Sequence, residues 1–321
     1  MGLNLASSGY SMQIIDLPEK EPSASRKAAG LMNPVTGKRM ALTWEFQRIW
    51  PIAKAFYRHA FEQLMEKDGS FLEKRIIRKS LRSTEEMNFL EAKSAWGGFG
   101  EIIRILPAIE QSSIFSETIA WAETNESYKL NVPWFLNEAA AYFRRKQMLK
   151  CIEFKPELLK KEGEGWVYDN HYYHKIISCL GLSCPWIASQ LWPVKGQLYE
   201  LRGLPDWGRD IVKTGIFFVP DENGLVLAGS TYEREFQNTG PDEQGYQEIV
   251  SDLHPELQKQ VKIVHSWAGL RPTTPDRRPL IREIDENLYA INGLGAKGVS
   301  LAPFAASEFI RLFLEKRVSE H

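Results

Sequence analysis

The sequence has no excess of either charge, because 40 lysines and arginines stand against 41 aspartates and glutamates. A formal net charge of −1 gives no support for a chain-wide polyanion-binding surface, although a local basic patch is compatible with it. Cysteine is scarce. Cys151, Cys179 and Cys184 form no CxxC pair and no Cys/His cluster at zinc spacing. We therefore predict three reduced thiols in or near the core, without a disulfide or a metal.

Long apolar runs are absent as well. We find neither a signal peptide nor a run of about 18 apolar residues, so the sequence predicts a soluble, cytoplasmic protein without membrane contact. Apolar and aromatic residues are nevertheless abundant: 43% of the 321 residues are hydrophobic, including ten tryptophans and sixteen phenylalanines. This content argues against disorder and suits two packed domains with a large core.

Hydrophobic periodicity gives α/β patterns at both ends of the chain and strand-like segments in the middle. One helix is predicted from Trp44 to about Lys67 with an interruption at Pro51, and another begins near Pro133. These patterns predict a mixed α/β fold. A parallel sheet is assembled from discontinuous segments, and a mainly antiparallel β unit is inserted into it.

Three glycines near the C-terminus, Gly293, Gly295 and Gly298, follow the strand-like "LYAIN" and spell G-x-G-x-x-G. A dinucleotide fingerprint needs a second strand and an acid about 20 residues further on. Only 23 residues follow Gly298, and they have the pattern of one helix and a polar tail. Two interpretations stay open. The glycines serve either a plain strand-to-helix turn or a backbone cradle for a partial negative charge, such as that on the pyrimidine edge of a reduced flavin.

Six segments together resemble the D-amino acid oxidase-like FAD-dependent oxidoreductases, in the branch that contains glycine oxidase and the oxidase domain acting on carboxymethylaminomethyl-uridine in tRNA. They are "SASRKAAGLMNPVTGKR" (23–39), "HKIISCLG" (174–181), "WPVKGQLYELRG" (192–203), "LAGSTYE" (227–233), "HSWAGLRPTTPDRRPLI" (265–281) and "LYAINGLGAKGVSLAP" (288–303). The resemblance implies a Rossmann-like FAD-binding domain from 1–44, 136–190 and 265–321, and a substrate-binding domain from 45–135 and 191–264.

The resemblance also implies cofactor contacts. Asp16, at the end of a strand, would bind the adenosine ribose hydroxyls, and the last glycine loop would cover the flavin pyrimidine edge. The full implied set is Asp16, Leu17, Ser25, Ala29, Gly30, Leu31, Gly181, Leu294, Gly295, Ala296, Lys297, Gly298, Val299 and Ser300.

For the substrate, the resemblance implies that the arginine of "GLRP", Arg271, grips a carboxylate, with Lys297 and Tyr232 as further contacts. A guanidinium pairs both carboxylate oxygens at once. The alternative is a surface ion pair between Arg271 and Asp276. Arg277 and Arg278 are expected on a solvated turn.

No side chain is predicted to act as a catalytic acid, base or nucleophile. The histidines, including His171 and His174, have no acid at ligand spacing, so no metal is predicted. No G-x-S-x-G turn supports a hydrolase. The chemistry that the resemblance implies is centred on the flavin.

The sequence departs from the family at its start, because the first strand and the pyrophosphate-binding G-x-G-x-x-G are not in the chain. We expect that Met1 is an internal methionine of a longer protein. The alternative is a truncated chain without cofactor.

The predicted function is oxidation of a small amino acid or N-substituted glycine to an imine, with FAD reoxidised by oxygen. One alternative is oxidation of a glycine-like modified tRNA base, for which the basic stretches 73–82 and 144–150 would supply charge. The other is a cofactor-less chain with a binding or assembly role. No oligomeric state is predicted.

Overall fold

The structure is a computed structural model, which describes residues 1–16, 23–37, 40–95, 98–107 and 113–315. Leu17, one of the predicted cofactor contacts, lies outside the described residues. Helices and several sheets alternate along the chain, which confirms the predicted mixed α/β class. No helix in the described ranges is long and apolar enough to cross a membrane.

Seven α-helices lie in the described part of the chain: α1 (Gly2–Ser7), α2 (Phe46–Met65), α3 (Thr84–Ser94), α4 (Val132–Arg145), α5 (Glu243–Val250), α6 (Pro255–Gln258) and α7 (Gly298–Phe313). The strands of the first half are β1 (Ile14–Ile15), β2 (Leu31–Met32), β3 (Val35–Thr36), β4 (Ala41–Leu42), β5 (Leu72–Lys74), β6 (Ile77–Leu81), β7 (Ile103–Pro107), β8 (Ala120–Thr124), β9 (Tyr128–Leu130) and β10 (Leu149–Lys150). Those of the second half are β11 (Lys160–Glu162), β12 (Gly165–Tyr168), β13 (His171–Tyr173), β14 (Ile176–Ser178), β15 (Trp192–Arg202), β16 (Ile211–Lys213), β17 (Phe217–Pro220), β18 (Val226–Gly229), β19 (Lys262–Thr273), β20 (Leu280–Asp285) and β21 (Leu288–Asn292).

An eight-stranded sheet dominates the molecule, with the strand order β19-β15-β18-β17-β16-β6-β8-β7. Its neighbouring strands are antiparallel except for β16 and β6, which are parallel. The long pair β15–β19 runs from Trp192 opposite Thr273 to Arg202 opposite Lys262. Two segments that are about 60 residues apart in sequence, β15 and β19, therefore form one continuous part of this sheet.

The two sides of this sheet differ in chemistry, because side chains alternate along each strand while paired residues share a side. One side is closed by a core that includes Tyr199, Val212, Phe218 and Ala228, packed under α5. The other side we call the cleft face. Strand pairing aligns one row of residues across it: Trp267, Leu198, Gly229, Phe217, Lys213 and Lys79.

Short parallel pairs from distant parts of the chain form the remaining α/β part. β1 pairs with β10, and β14 pairs with β21, which also carries β20 on its other edge. Helix α7 packs its buried Phe309 against Tyr289 of β21, with ring centroids 5.2 Å apart. The predicted domain boundaries 135/136 and 264/265 fall inside α4 and β19, and the division into domains stays a prediction.

Two proline positions test the helix predictions. Asn131 caps α4 by accepting a hydrogen bond from the Trp134 backbone N–H, and Pro133 lies in the first turn as predicted. The predicted interruption at Pro51 is wrong, since α2 continues through it. Pro51 removes one hydrogen bond to the carbonyl of Gln47, and both residues are exposed, so water can satisfy that carbonyl.

Candidate functional site

The Arg271 side chain lies across β15 on the cleft face. Arg271 is paired with Val194, and its guanidinium lies over the neighbouring Gly196. A Cβ built on Gly196 would lie only 1.7 Å from Nη2 of Arg271. The absence of a side chain at Gly196 is therefore what permits this position of the guanidinium.

Polar groups at the end of β18 hold the same guanidinium. It donates one hydrogen bond to the Ser230 hydroxyl and another, of 3.3 Å, to the Thr231 carbonyl. Burial lowers the pKa of Arg271, while Tyr232 and Glu233 nearby act in the opposite direction. No carboxylate in the described ranges forms an ion pair with Arg271. Asp276 lies 3.9 Å from Arg278 instead, and the alternative of an Arg271–Asp276 pair is not observed.

The terminal loop, residues 293–298, reaches the strand that carries Arg271. Leu294 forms a β-bridge with Thr273, two residues beyond Arg271. Gly295 has a φ of +52°, and its Cβ position lies 3.3 Å from the Thr273 hydroxyl oxygen. Gly181, with a φ of +59°, lies beside Pro272 and accepts a hydrogen bond from the Asn292 amide. The structure thus brings together Arg271, Gly181 and the terminal loop.

The start of α7 lacks a side-chain cap for its backbone donors. The first N–H groups of an α-helix have no acceptor inside the helix, and Lys297, which precedes α7, supplies no side-chain cap. A Cβ at Gly298 would meet no described atom within 4 Å. Ser300 is buried and bonds back to the Lys297 carbonyl, while the Val299 carbonyl accepts from Tyr57. Ala296 is exposed.

Lys297 extends the positive charge of this region. It is partly buried, and burial, followed by the charge of Arg277, lowers its pKa. Arg277 and Arg278 are exposed on the turn, as predicted. The guanidinium of Arg277 lies 5.8 Å from the ring centre of Tyr232, which is 45% exposed. Tyr232 therefore lies on the open side of the site.

The loop from 23 to 32 packs onto the cleft face from the other direction. Trp267 donates to the Lys27 carbonyl at 3.1 Å, and Leu31 packs against Ile77 and Ile211. Gly30 is buried with a φ of +76°, in close contact with β9. Ala29 is partly buried, and Ser25 lies in an exposed turn.

Asp16 lies directly after β1, the strand that pairs with β10. Its backbone N–H donates to the Lys150 carbonyl at 3.2 Å, and the residue is exposed. This placement at a strand's carboxyl end matches the one predicted from sequence, and its role toward a ribose stays a prediction.

Sequence inspection missed Lys213. Its pKa is lowered to about 8 by burial, with Lys79 and Lys297 adding like charge. Lys213 therefore lies on the cleft face, within electrostatic range of Lys297 in the terminal loop. The available signal was a lysine directly after the buried apolar residues Ile211 and Val212 of a central strand.

Metal and disulfide sites are not part of this arrangement. The three cysteines are all described and free. Cys184 is buried as predicted, whereas Cys151 and Cys179 are exposed. No group of three or more His, Cys, Asp or Glu residues in the described part of the chain could hold a metal ion. Two cavities, of about 790 and 920 Å³, lie elsewhere, and neither is lined by Arg271, Lys213 or the terminal loop.

The residues fit the flavin end of FAD. Open space over Gly298 and the backbone amides in the first turn of α7 suit a flat ring with acceptor atoms on its edge. An antiparallel sheet that presents an arginine to a glycine loop of an α/β unit suits a flavin-dependent oxidoreductase.

Comparison with known proteins agrees. The FAD dependent oxidoreductase family, of the DAO type, matches residues 2–312, and the chain belongs to this family. It is 32% identical over 135 residues to glycine oxidase of Pseudomonas aeruginosa, covering 40% of this chain and 35% of that protein. It is 25% identical over 122 residues to the bifunctional protein MnmC of Idiomarina loihiensis, which acts in tRNA 5-methylaminomethyl-2-thiouridine biosynthesis, covering 36% and 20%.

The crystal structure of glycine oxidase from Bacillus cereus superimposes with a TM-score of 0.78 at 18% identity, covering 98% of this chain and 93% of that one. This likeness shows the fold. Because the sequence matches span well under two thirds of the curated relatives, the activity of the whole protein is a matter for proposal.

Proposed function

We propose that this protein oxidises the C–N bond of a small amino acid or an N-substituted glycine to an imine, which then hydrolyses. The observation that carries the proposal is the partly buried Arg271 guanidinium, held beside the terminal loop without a described carboxylate partner. When bound, FAD supplies the hydride acceptor for the substrate's α C–H, with oxygen proposed to restore it and form hydrogen peroxide. Similarity to glycine oxidase supports a glycine-like substrate.

Arg271 would fix the substrate carboxylate. Its planar fork can pair with both carboxylate oxygens, while Ser230 and Thr231 keep the fork in place. A fixed carboxylate leaves the α-carbon only small rotations, and such orientation is a large part of the rate acceleration available to an enzyme without a reacting side chain.

Positively charged side chains near the site would help to keep the substrate amine neutral. Arg271 and Lys297 both lie near the site, and nearby positive charge disfavours a substrate ammonium. A neutral amine carries the lone pair that stabilises the developing imine. This effect removes the need for a dedicated general base, and no candidate base is proposed.

The backbone amides at the start of α7 would face the flavin edge that gains negative charge on reduction. Oriented amide dipoles stabilise such charge without reorganisation. Leu294, Gly295 and Gly298 would let the backbone approach closely, and Asp16 would bind the ribose. These assignments are proposals that follow from the placements described above.

The test is a peroxide-release assay on the FAD-loaded protein with glycine, sarcosine and small D- and L-amino acids. Arg271→Met should raise KM for carboxylate substrates at least tenfold, since a lost charge-assisted pair costs about 1.5–3 kcal/mol. Arg278→Met, on the exposed turn, is the matched control and should leave KM unchanged. An unaltered KM in Arg271→Met rejects the assignment, and a folded protein that takes up no FAD rejects the oxidase proposal.

The tRNA alternative gains no specific support from the basic stretch 73–82. Arg75 bonds to the Arg209 carbonyl, Arg78 pairs with Glu123 and Asp210, and Arg82 pairs with Asp252. Arginines engaged in this way are poor phosphate ligands. Co-purification of tRNA with a steep salt dependence would revive this alternative.

A further inference from the structure

Lys213 stands on the same face of the same sheet as Arg271. It pairs with Phe217, and Phe217 pairs with Gly229, whose neighbour Ser230 holds the Arg271 guanidinium. Two strand spacings of about 4.8 Å separate Lys213 from Gly229, so their Cα atoms are about 10 Å apart. Both cations can therefore reach one small ligand from opposite ends.

The Lys213 side chain leans toward that shared space. Its ammonium lies 5.0 Å from the ring centre of Phe217, which is the strand neighbour on the Arg271 side. Beyond Phe217, the next residue across the sheet toward Ser230 and Arg271 is Gly229, which adds no side chain of its own to the cleft face.

Among the described residues, the ring of Phe217 is near the Lys213 ammonium, but no anion pairs with it. Its strand neighbour Lys79 is 3.4 Å from Glu86, but no described carboxylate pairs with Lys213. The charges that act on it, Lys79 and Lys297, are both positive. A partly buried ammonium among like charges is unfavourable for folding. Such groups are commonly kept for binding.

We propose that Lys213 binds a second carboxylate of the substrate, at the end opposite to the carboxylate held by Arg271. The substrate class is then an amino dicarboxylate, such as a glycine whose N-substituent ends in a carboxylate. This inference rests on the proposed function, because it takes Arg271 as the first carboxylate site. Lys213 is a specificity-determining residue and has no part in the oxidation itself.

The test compares two ligands that have no oxidisable C–N bond and differ by one carboxylate, thiodiacetate and (methylthio)acetate. Their binding to the FAD-loaded protein is measured by titration calorimetry. The wild type should bind thiodiacetate about ten- to a hundredfold more tightly. Lys213→Gln should remove this preference and leave the binding of (methylthio)acetate unchanged. Lys213→Arg should keep most of the preference for thiodiacetate. Lys259→Gln, at an exposed ion pair, is the control and should behave like the wild type.

Three results would overturn the proposal. They are equal affinity of the wild type for both ligands, equal weakening of both by Lys213→Gln, and a preference that survives in Lys213→Gln. Should Lys213→Gln fail to fold, Lys213→Met provides the same comparison. If the wild type bound neither ligand, the proposed Arg271 site would be contradicted instead. The two proposals therefore fail in different ways.

Discussion

Substitutions of Lys195 and Lys213, which lie on opposite sides of the large sheet, should have opposite effects on stability. Lys195 is fully buried, and its ammonium lies 2.5 Å from Asp242 and 3.4 Å from Glu233. Lys213 is partly buried, and the two described charges that shift its pKa, Lys79 and Lys297, are both positive. We therefore predict that Lys213→Met stabilises the fold and that Lys195→Met destabilises it.

The size of the Lys213 effect follows from its pKa. A fall from the ordinary 10.5 to about 8 means that the charged form is disfavoured in the folded protein. It corresponds to at most ~3 kcal/mol, because partial solvent access screens the charge. Between pH 8 and 10.5 the unfolded chain binds more protons than the folded one, so wild-type stability rises with pH across this window.

Lys213→Met removes that dependence. Its gain over the wild type should be complete below pH 8, should fall to less than half at about pH 9.5, and should vanish above 10.5. Lys195→Met leaves two carboxylates without their cation and should lose up to ~3–5 kcal/mol. Urea unfolding midpoints at about pH 7 and 9.5 measure both effects. A Lys213→Met protein that is less stable than the wild type at pH 7 would refute this account.

Two further substitutions test local geometry. Gly196→Ala places a methyl group where the Arg271 guanidinium lies, 1.7 Å from Nη2, so KM for a carboxylate substrate should rise at least tenfold while the unfolding midpoint stays near that of the wild type; unchanged KM would show that the guanidinium adapts freely. Asn131→Ala removes the α4 cap and should lower stability by about 1 kcal/mol, measured by urea unfolding, with Asn131→Ser, which can still cap the helix, as control.

The elements with local signals could be predicted from the sequence. The last strand, glycine loop and helix lie where the pattern placed them, as β21, residues 293–298 and α7. Their signals are an apolar run, glycines that tolerate positive φ, and a helical period. Pro51 misled because a proline signals a break without showing whether the freed carbonyl is exposed to water.

The site could be predicted only where a family resemblance pointed to single residues. Arg271 was found in this way, and the structure places it beside Gly181 and the terminal loop. Lys213 was missed because its neighbours Lys79 and Lys297 are far away in sequence. Their proximity follows from the parallel β16–β6 pairing and the return of the C-terminal loop, and no sequence period encodes either.

The shape of the cleft depends on residues that lack side chains, in positions where glycine is costly. Gly196 and Gly269 pair in the middle of the long β15–β19 ribbon, where glycine weakens a strand. Each makes room on the cleft face: Gly196 for the guanidinium, and Gly269 for Ala24, whose Cβ lies 2.9 Å from its Cβ position. In the sequence both appear as weak points of a strand. Their placement opposite each other indicates that strand stability has been given up for space.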